Sequence, residues 1–120
     1  MQTQAQFAPA NPVSPQPVRP LRPVLKKNMA EIERLCRLHH VKHLWVFGSV
    51  TNEKFNRKSD IDFLVEMEAL DHEAYADSYF ELLFGLQDLF HRDIDLITVK
   101  QLSNPYFIES VMEQRQHIYG

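Results

Sequence analysis

The stretch FGSVTNEKFNRKSDIDFLVEM, residues 47–67, decides how this chain is read. Its first residue closes a short apolar run, VKHLWVF (Val41–Phe47), rich in strand formers and predicted as a first strand. Gly48–Ser49 ends that strand, and ten residues with one aromatic, Val50–Ser59, read as a loop or short irregular helix. A second strand, Asp60–Met67, follows. Residues two apart in a strand share a face, so Asp60 and Asp62 stand side by side while Ile61, Phe63 and Val65 turn to the core. Two carboxylates this close repel, and one takes up a proton unless a cation lies between them. A hard divalent ion with oxygen ligands answers that need. Glycine admits the close approach of a ligand to the backbone, and a serine hydroxyl beside exposed N–H groups suits a phosphate. Taken singly, each signal also fits something plainer: an ordinary turn, or an exposed strand start with Lys or Arg neighbours.

Downstream, residues 72–91 carry Tyr75, Tyr79, Leu82, Leu83, Leu86, Leu89 and Phe90 at helical spacing and predict a long amphipathic helix. Asp93–Val99 (DIDLITV) is a third strand that repeats the Asp-Ile-Asp pattern. If it neighbours the second strand, one of its carboxylates joins Asp60 and Asp62. Asp95, deeper in the strand, is the better placed; Asp93, next to Arg92, is the alternative. Ser103-Asn104-Pro105 marks a helix start, with a capping residue and then proline. That helix is expected to run to about Gln114 with Phe107, Ile108, Val111 and Met112 inward. Upstream, Leu25, Met29, Ile32 and Cys36 define one amphipathic helix ending near His39–His40, with Cys36 as inert core.

Composition bounds what such a domain does. The chain has 120 residues and a formal net charge of −3, which suits one small domain and argues against a general nucleic-acid binder. No apolar run approaches the ~18 residues a membrane span needs, so no membrane partner is expected. The opening MQTQAQFAPA lacks the charged-then-apolar pattern of a secretory signal. The single cysteine cannot form an internal disulfide or a cysteine zinc site and suits a reducing compartment, so a cytoplasmic location is expected. Six of the seven prolines fall in the first 23 residues, at 9, 12, 15, 17, 20 and 23. Residues 1–23 are therefore expected to form an extended or disordered tail, or a docking peptide, with the folded domain at 24–120.

Taken jointly, strand, Gly48-Ser49, ten residues, Asp60-x-Asp62 on the next strand, helix, and a third aspartate on a strand resemble the DNA polymerase β-type nucleotidyltransferase superfamily. The likeness is strongest to its minimal, or MNT-type, members and runs over residues 25–119. The resemblance implies an α+β fold, a small mixed sheet packed against helices. It implies a nucleotidyltransferase with ATP as substrate and two Mg²⁺ ions, held by Asp60, Asp62 and Asp95 as catalytic carboxylates. Gly48 and Ser49 would bind the nucleotide's β- and γ-phosphates. It also implies a partner, because a domain of this size supplies the catalytic half and little surface for an acceptor. In the MNT family that partner is typically a HEPN-type toxin, and the nucleotidyltransferase acts as its antitoxin by moving AMP to a toxin tyrosine. One departure stands out. Many members have small and basic residues just after Gly-Ser, where this chain has Val50-Thr51-Asn52-Glu53; Lys54, Arg57 or Lys58 would have to substitute.

Other readings carry less. His39, His40 and His43 straddle a helix end and a strand start and offer no i, i+4 metal pair; a positive His at a helix C-terminus needs no ligand. Arg34 and His39 match the Arg-x4-His spacing of HEPN ribonucleases, but a strand-rich body does not fit an all-helical nuclease. Tyr75, Tyr79, Phe80 and Phe84 suit core or an interface better than a base-stacking platform. The rival function is a non-catalytic antitoxin that neutralises its toxin by binding and occlusion. The presence of Gly48, Ser49, Asp60, Asp62 and Asp95 together favours catalysis.

Overall fold

Pro23, fixed in helical φ, opens the first element, helix α1 (Pro23–Lys26). The computed structural model describes residues 20–120; the expected tail lies outside the described residues up to position 19. Its last residues belong to the body: Leu21 packs on the main core and Arg22 reaches the loop after Gly48. The single first helix expected from periodicity is interrupted. Asn28 Nδ2 donates to the Val24 carbonyl at 2.7 Å, and α2 restarts at Met29 and runs to Leu38. Leu25, Ile32 and Cys36 are nonetheless all buried in one cluster, which is why the period looked continuous. Burial pushes the Cys36 thiol up to about 12, which makes it inert as expected.

Strand β1 (Val41–Phe47) leads into a 3-10 turn, Gly48–Thr51, and strand β2 covers Ile61–Met67. Helix α3 (His72–Phe90) starts at Asp71, whose carboxylate accepts from the Ala74 amide at 2.8 Å, and stops at His91 in the left-handed region. Strand β3 (Ile94–Thr98) and a 3-10 turn at Val99–Gln101 precede α4 (Pro105–Gln114). Asn104 caps α4 by accepting from the Tyr106 and Phe107 amides. A fourth strand, β4 (Gln116–Tyr119), was not expected from the sequence.

The sheet order is β3-β2-β1-β4. β1 runs antiparallel to β2 and β4, and β2 runs parallel to β3, so the sheet is mixed as expected. Helices α1 to α3 cover one face, where Leu25, Ile32, Leu82 and Leu86 meet Leu44, Val46, Phe63 and Leu96. α2 and α3 approach at Gly85, where an added Cβ would stand 2.9 Å from Leu35 Cδ2. The opposite face carries a smaller cluster of Phe47, Leu64 and Val111, flanked by Trp45, Ile97 and Leu102. Strand alternation puts Asp62 with Leu64 and Asp95 with Ile97 on this second, thinly covered face.

One packing expectation is corrected. Phe107 and Met112 are exposed, because α4 meets the sheet chiefly through Val111. Phe80 and Phe84 lie on the outer side of α3, while Tyr75 and Tyr79 pack against the core. Among the described residues, no helix is long and apolar enough to cross a membrane.

Candidate active site

Three neighbouring strands deliver the site. Phe47 of β1 is the register partner of Asp62 on β2, and Asp62 is the register partner of Asp95 on β3. Asp62 therefore sits between the Gly48 turn on one side and Asp95 on the other. Gly48 has φ +74°, and a Cβ placed on it would run into the Asp62 carboxylate. Only glycine lets the turn close this tightly over that carboxylate.

The turn is tied down from several directions. The Gly48 amide donates to Gln114 Oε1 at 3.1 Å, and Gln114 Nε2 donates to Ser110 Oγ at 3.0 Å, so α4 holds the turn. The Thr51 hydroxyl donates to the Gly48 carbonyl at 2.6 Å, and the Asn52 amide to the Ser49 carbonyl at 3.0 Å. Ser49 lies half-buried in this turn. The Gly48 N–H, expected to face a phosphate, is engaged by Gln114 in this structure.

The electrostatics follow from the crowding. The Asp62 carboxyl is pushed up to about 6, first by burial, then by Asp95 and Asp60. Asp95 and Asp60 are exposed, the latter just ahead of β2. Asp93 is exposed as well; its backbone carbonyl accepts from the Ile61 amide at 3.2 Å and so fixes the start of the parallel pair. Beneath Asp95, the Tyr79 hydroxyl donates to the Leu96 carbonyl at 2.6 Å, and burial and then Asp95 raise its pKa.

Oxygen donors and mutual repulsion are what a hard divalent cation relieves, so the residues present fit Mg²⁺. The preformed part is the Asp62–Asp95 pair. Among the described residues, no three His, Cys, Asp or Glu side chains converge into a ready-made cage. That holds for His39, His40 and His43 too. Burial lowers the His39 pKa against the opposing pull of Glu81, whose Oε1 stands 3.6 Å from Nδ1, so the neutral form is favoured over the positive one expected at a helix end. Arg34 is engaged with Glu31 on the same helix.

The loop leading to Asp60 brings in residues that motif reading missed. The Arg22 guanidinium donates to the Val50 and Asn52 carbonyls, and Arg92 donates to the Asn56 and Ser59 carbonyls at 3.2 and 2.9 Å. Both guanidiniums lie against the Phe55 ring, at 5.4 and 4.7 Å from its centroid. Lys54, Arg57 and Lys58, the expected basic substitutes, are exposed. The available signals were the one aromatic in a polar loop and an arginine just ahead of the first apolar helix. A separate groove of about 620 Å³, lined by Tyr75, Tyr79, Phe80 and Lys100 among others, contains none of the residues of this site.

A glycine turn thus closes over an aspartate that is register-paired with a second aspartate on a parallel strand, and the family that matches the chain makes the protein a nucleotidyltransferase. The chain belongs to the nucleotidyltransferase domain family, which matches residues 30–118. A Methanocaldococcus jannaschii protein with the provisional name protein adenylyltransferase is 32% identical over 95 residues, covering 72% of this chain and 94% of the relative. Among solved structures, one described as a minimal nucleotidyltransferase superposes with a TM-score of 0.64 at 25% identity, covering 77% of this chain and 90% of the other. A toxin–antitoxin crystal structure with AMP-PNP superposes with a TM-score of 0.61 at 27% identity, covering 78% and 73%.

Proposed function

We propose that this protein is a Mg²⁺-dependent adenylyltransferase that moves AMP from ATP onto a partner protein, a HEPN-type toxin, at a tyrosine hydroxyl, and so serves as the antitoxin of a cytoplasmic toxin–antitoxin module. The observation that carries the reading is the Asp62–Asp95 register pair under the Gly48–Ser49 turn. The relatives named for adenylyl transfer to protein and the toxin–antitoxin structure with a bound ATP analogue support the choice of nucleotide and partner.

Asp60, Asp62 and Asp95 would hold the metal, which supplies charge neutralisation of the triphosphate and of the departing pyrophosphate. The rest is the work of the chain. The turn holds the terminal phosphates through the Ser49 hydroxyl and backbone amides, with Gln114 yielding the Gly48 N–H when nucleotide enters. Asp95, exposed on its strand, faces the incoming acceptor and takes its proton. The tyrosine oxygen bonds to the α-phosphorus, the bond from that phosphorus to the β-phosphate oxygen breaks, and pyrophosphate leaves. At 120 residues the chain offers this chemistry with little acceptor-binding surface of its own, so the partner brings the hydroxyl to it.

The test is intact-mass spectrometry of the co-purified partner after incubation with protein, Mg²⁺ and ATP. An added adenylate that is absent with Asp62→Asn supports the proposal. An unchanged partner mass, with toxicity still suppressed by Asp62→Asn, overturns it in favour of occlusion.

A further inference from the structure

We propose that Arg22 and Arg92 are positioning residues for this reaction, clamping from outside the loop that joins the Gly48–Ser49 turn to Asp60. The inference rests on the nucleotidyl-transfer reading above.

The loop cannot place itself. Its own hydrogen bonds are short-range: Lys54 N to Asn52 Oδ1 at 2.8 Å, Lys58 N to Asn56 Oδ1 at 2.8 Å and Asn56 N to Ser59 Oγ at 3.0 Å. These shape local turns without fixing the loop against the sheet. Most of its side chains are exposed; Val50, at its first position, is buried in the core, and Phe55 packs against that core. Two arginines reach its backbone carbonyls from far along the chain. Arg22 lies 28 and 30 residues before its carbonyl acceptors, Val50 and Asn52, at the Gly48 end. Arg92 lies 33 and 36 residues after its acceptors, Ser59 and Asn56, at the Asp60 end. Phe55 is the common seat of both guanidiniums. A guanidinium offers a fork of donors and a flat face at once; an ammonium offers neither the fork nor the face.

The two ends of this loop are the two ends of the substrate. The turn takes the terminal phosphates, and Asp60 and Asp62 lie at the α-phosphate. The register of Phe47 with Asp62 sets the turn against that carboxylate, and the arginines hold the loop between the turn and Asp60 in place along the triphosphate. They also bring two positive charges to a loop whose first residues, Val50-Thr51-Asn52-Glu53, bring none. The clamp therefore answers the departure from the usual basic residues after Gly-Ser, with one cation arriving from upstream of α1 and the other from the end of α3.

The experiment uses the full chain with Arg22→Ala, Arg92→Ala and the corresponding lysine variants. MgATP is titrated by calorimetry, amide exchange is followed across residues 50–59, and melting is measured without nucleotide. Each alanine variant is expected to weaken MgATP about tenfold, the loss of a charge-assisted hydrogen bond, with lysine recovering only part. Exchange should accelerate in residues 50–59 and stay unchanged within β1 and β2, with Tm within a few degrees of wild type. Unchanged affinity and loop exchange in both alanine variants overturn the proposal. So does a loss of affinity that merely tracks a large fall in Tm with faster exchange throughout, since that is a structural role alone. If wild-type protein takes up no MgATP, the nucleotidyl-transfer reading fails first, and the positioning role goes with it whatever the loop does.

Discussion

The tripeptide Asp-Ile-Asp occurs twice, at Asp60–Asp62 and at Asp93–Asp95, and the two copies lie side by side in register on parallel strands. In both the isoleucine is buried. The aspartates that follow diverge. Asp62 sits on β2, flanked by β1 and β3, with the Gly48 turn against its carboxylate, and it titrates at about 6. Asp95 sits on β3, at the edge of the sheet, and is exposed. The same three residues thus give a crowded, proton-retaining carboxylate in the middle of a sheet and an open one at its margin. Position in the sheet, not local sequence, separates the two; in the proposed reaction the inner copy anchors and the outer copy meets the acceptor.

Substitutions can break this comparison in order of size. Asp62→Asn should lower adenylyl transfer on the order of a thousandfold or more, since several kcal/mol of charge organisation go with it. Partner mass after timed incubation checks this. Asp95→Asn should cost about a hundredfold by the same assay, from a misplaced acceptor. An Asp95 effect as large as that of Asp62 would erase the distinction drawn here. Gly48→Ala tests the lid over the inner copy. It puts a side chain at φ +74° against the Asp62 carboxylate, and should destabilise by about 1–3 kcal/mol in urea unfolding while removing most activity.

A pH titration sharpens the contrast. With the Asp62 carboxyl at about 6 in the native state and its ordinary value of 3.8 unfolded, the native state keeps its proton longer. Stability from this group is fully present below about 4 and is lost as pH rises through about 6. The metal-free Asp62→Asn variant should therefore gain on wild type across that window. The gain should level off above it at a few degrees in Tm, reduced by the group's partial exposure. A Tm difference that does not vary with pH would place the effect elsewhere. The smallest expectation is for Asp93→Asn, within about threefold of wild-type rate, because Asp93 contributes its backbone carbonyl to the β2–β3 ladder and the asparagine keeps it.

Much of this was legible before any coordinates. The β1–turn–β2 unit, the long α3 and the third strand followed from alternation, glycine and the repeated tripeptide; Asp95 was expected to join Asp62 on condition that their strands are neighbours, and they are. What escaped was long-range. β4 is four residues, Gln-His-Ile-Tyr, bounded by no glycine or proline on its helix side, and it exists because β1 offers it an edge. The interruption of the first helix came from one asparagine side chain competing for a backbone carbonyl, which a periodicity count does not register. Phe107 and Met112 read as core by spacing, but α4 has only a small patch of sheet to cover. Arg22 was missed because its one signal, an arginine just ahead of the first apolar helix, does not point to carbonyls some thirty residues on.

The bond from the Gly48 amide to Gln114 spans 66 residues, and the pairing of β4 on β1 joins Leu44 to Tyr119. On the ribosome, chains are made and structured from the N-terminus, and contacts of long sequence separation form last. Strands β1, β2 and β3 can assemble once Thr98 has emerged, with Asp62 and Asp95 already side by side. The turn over Asp62 is already held by Thr51, Asn52 and Arg22, and waits only for its tie to Gln114. Nascent protein therefore passes through a stage in which the two carboxylates are set before α4 locks the Gly48 amide, so the acidic side of the candidate site matures first.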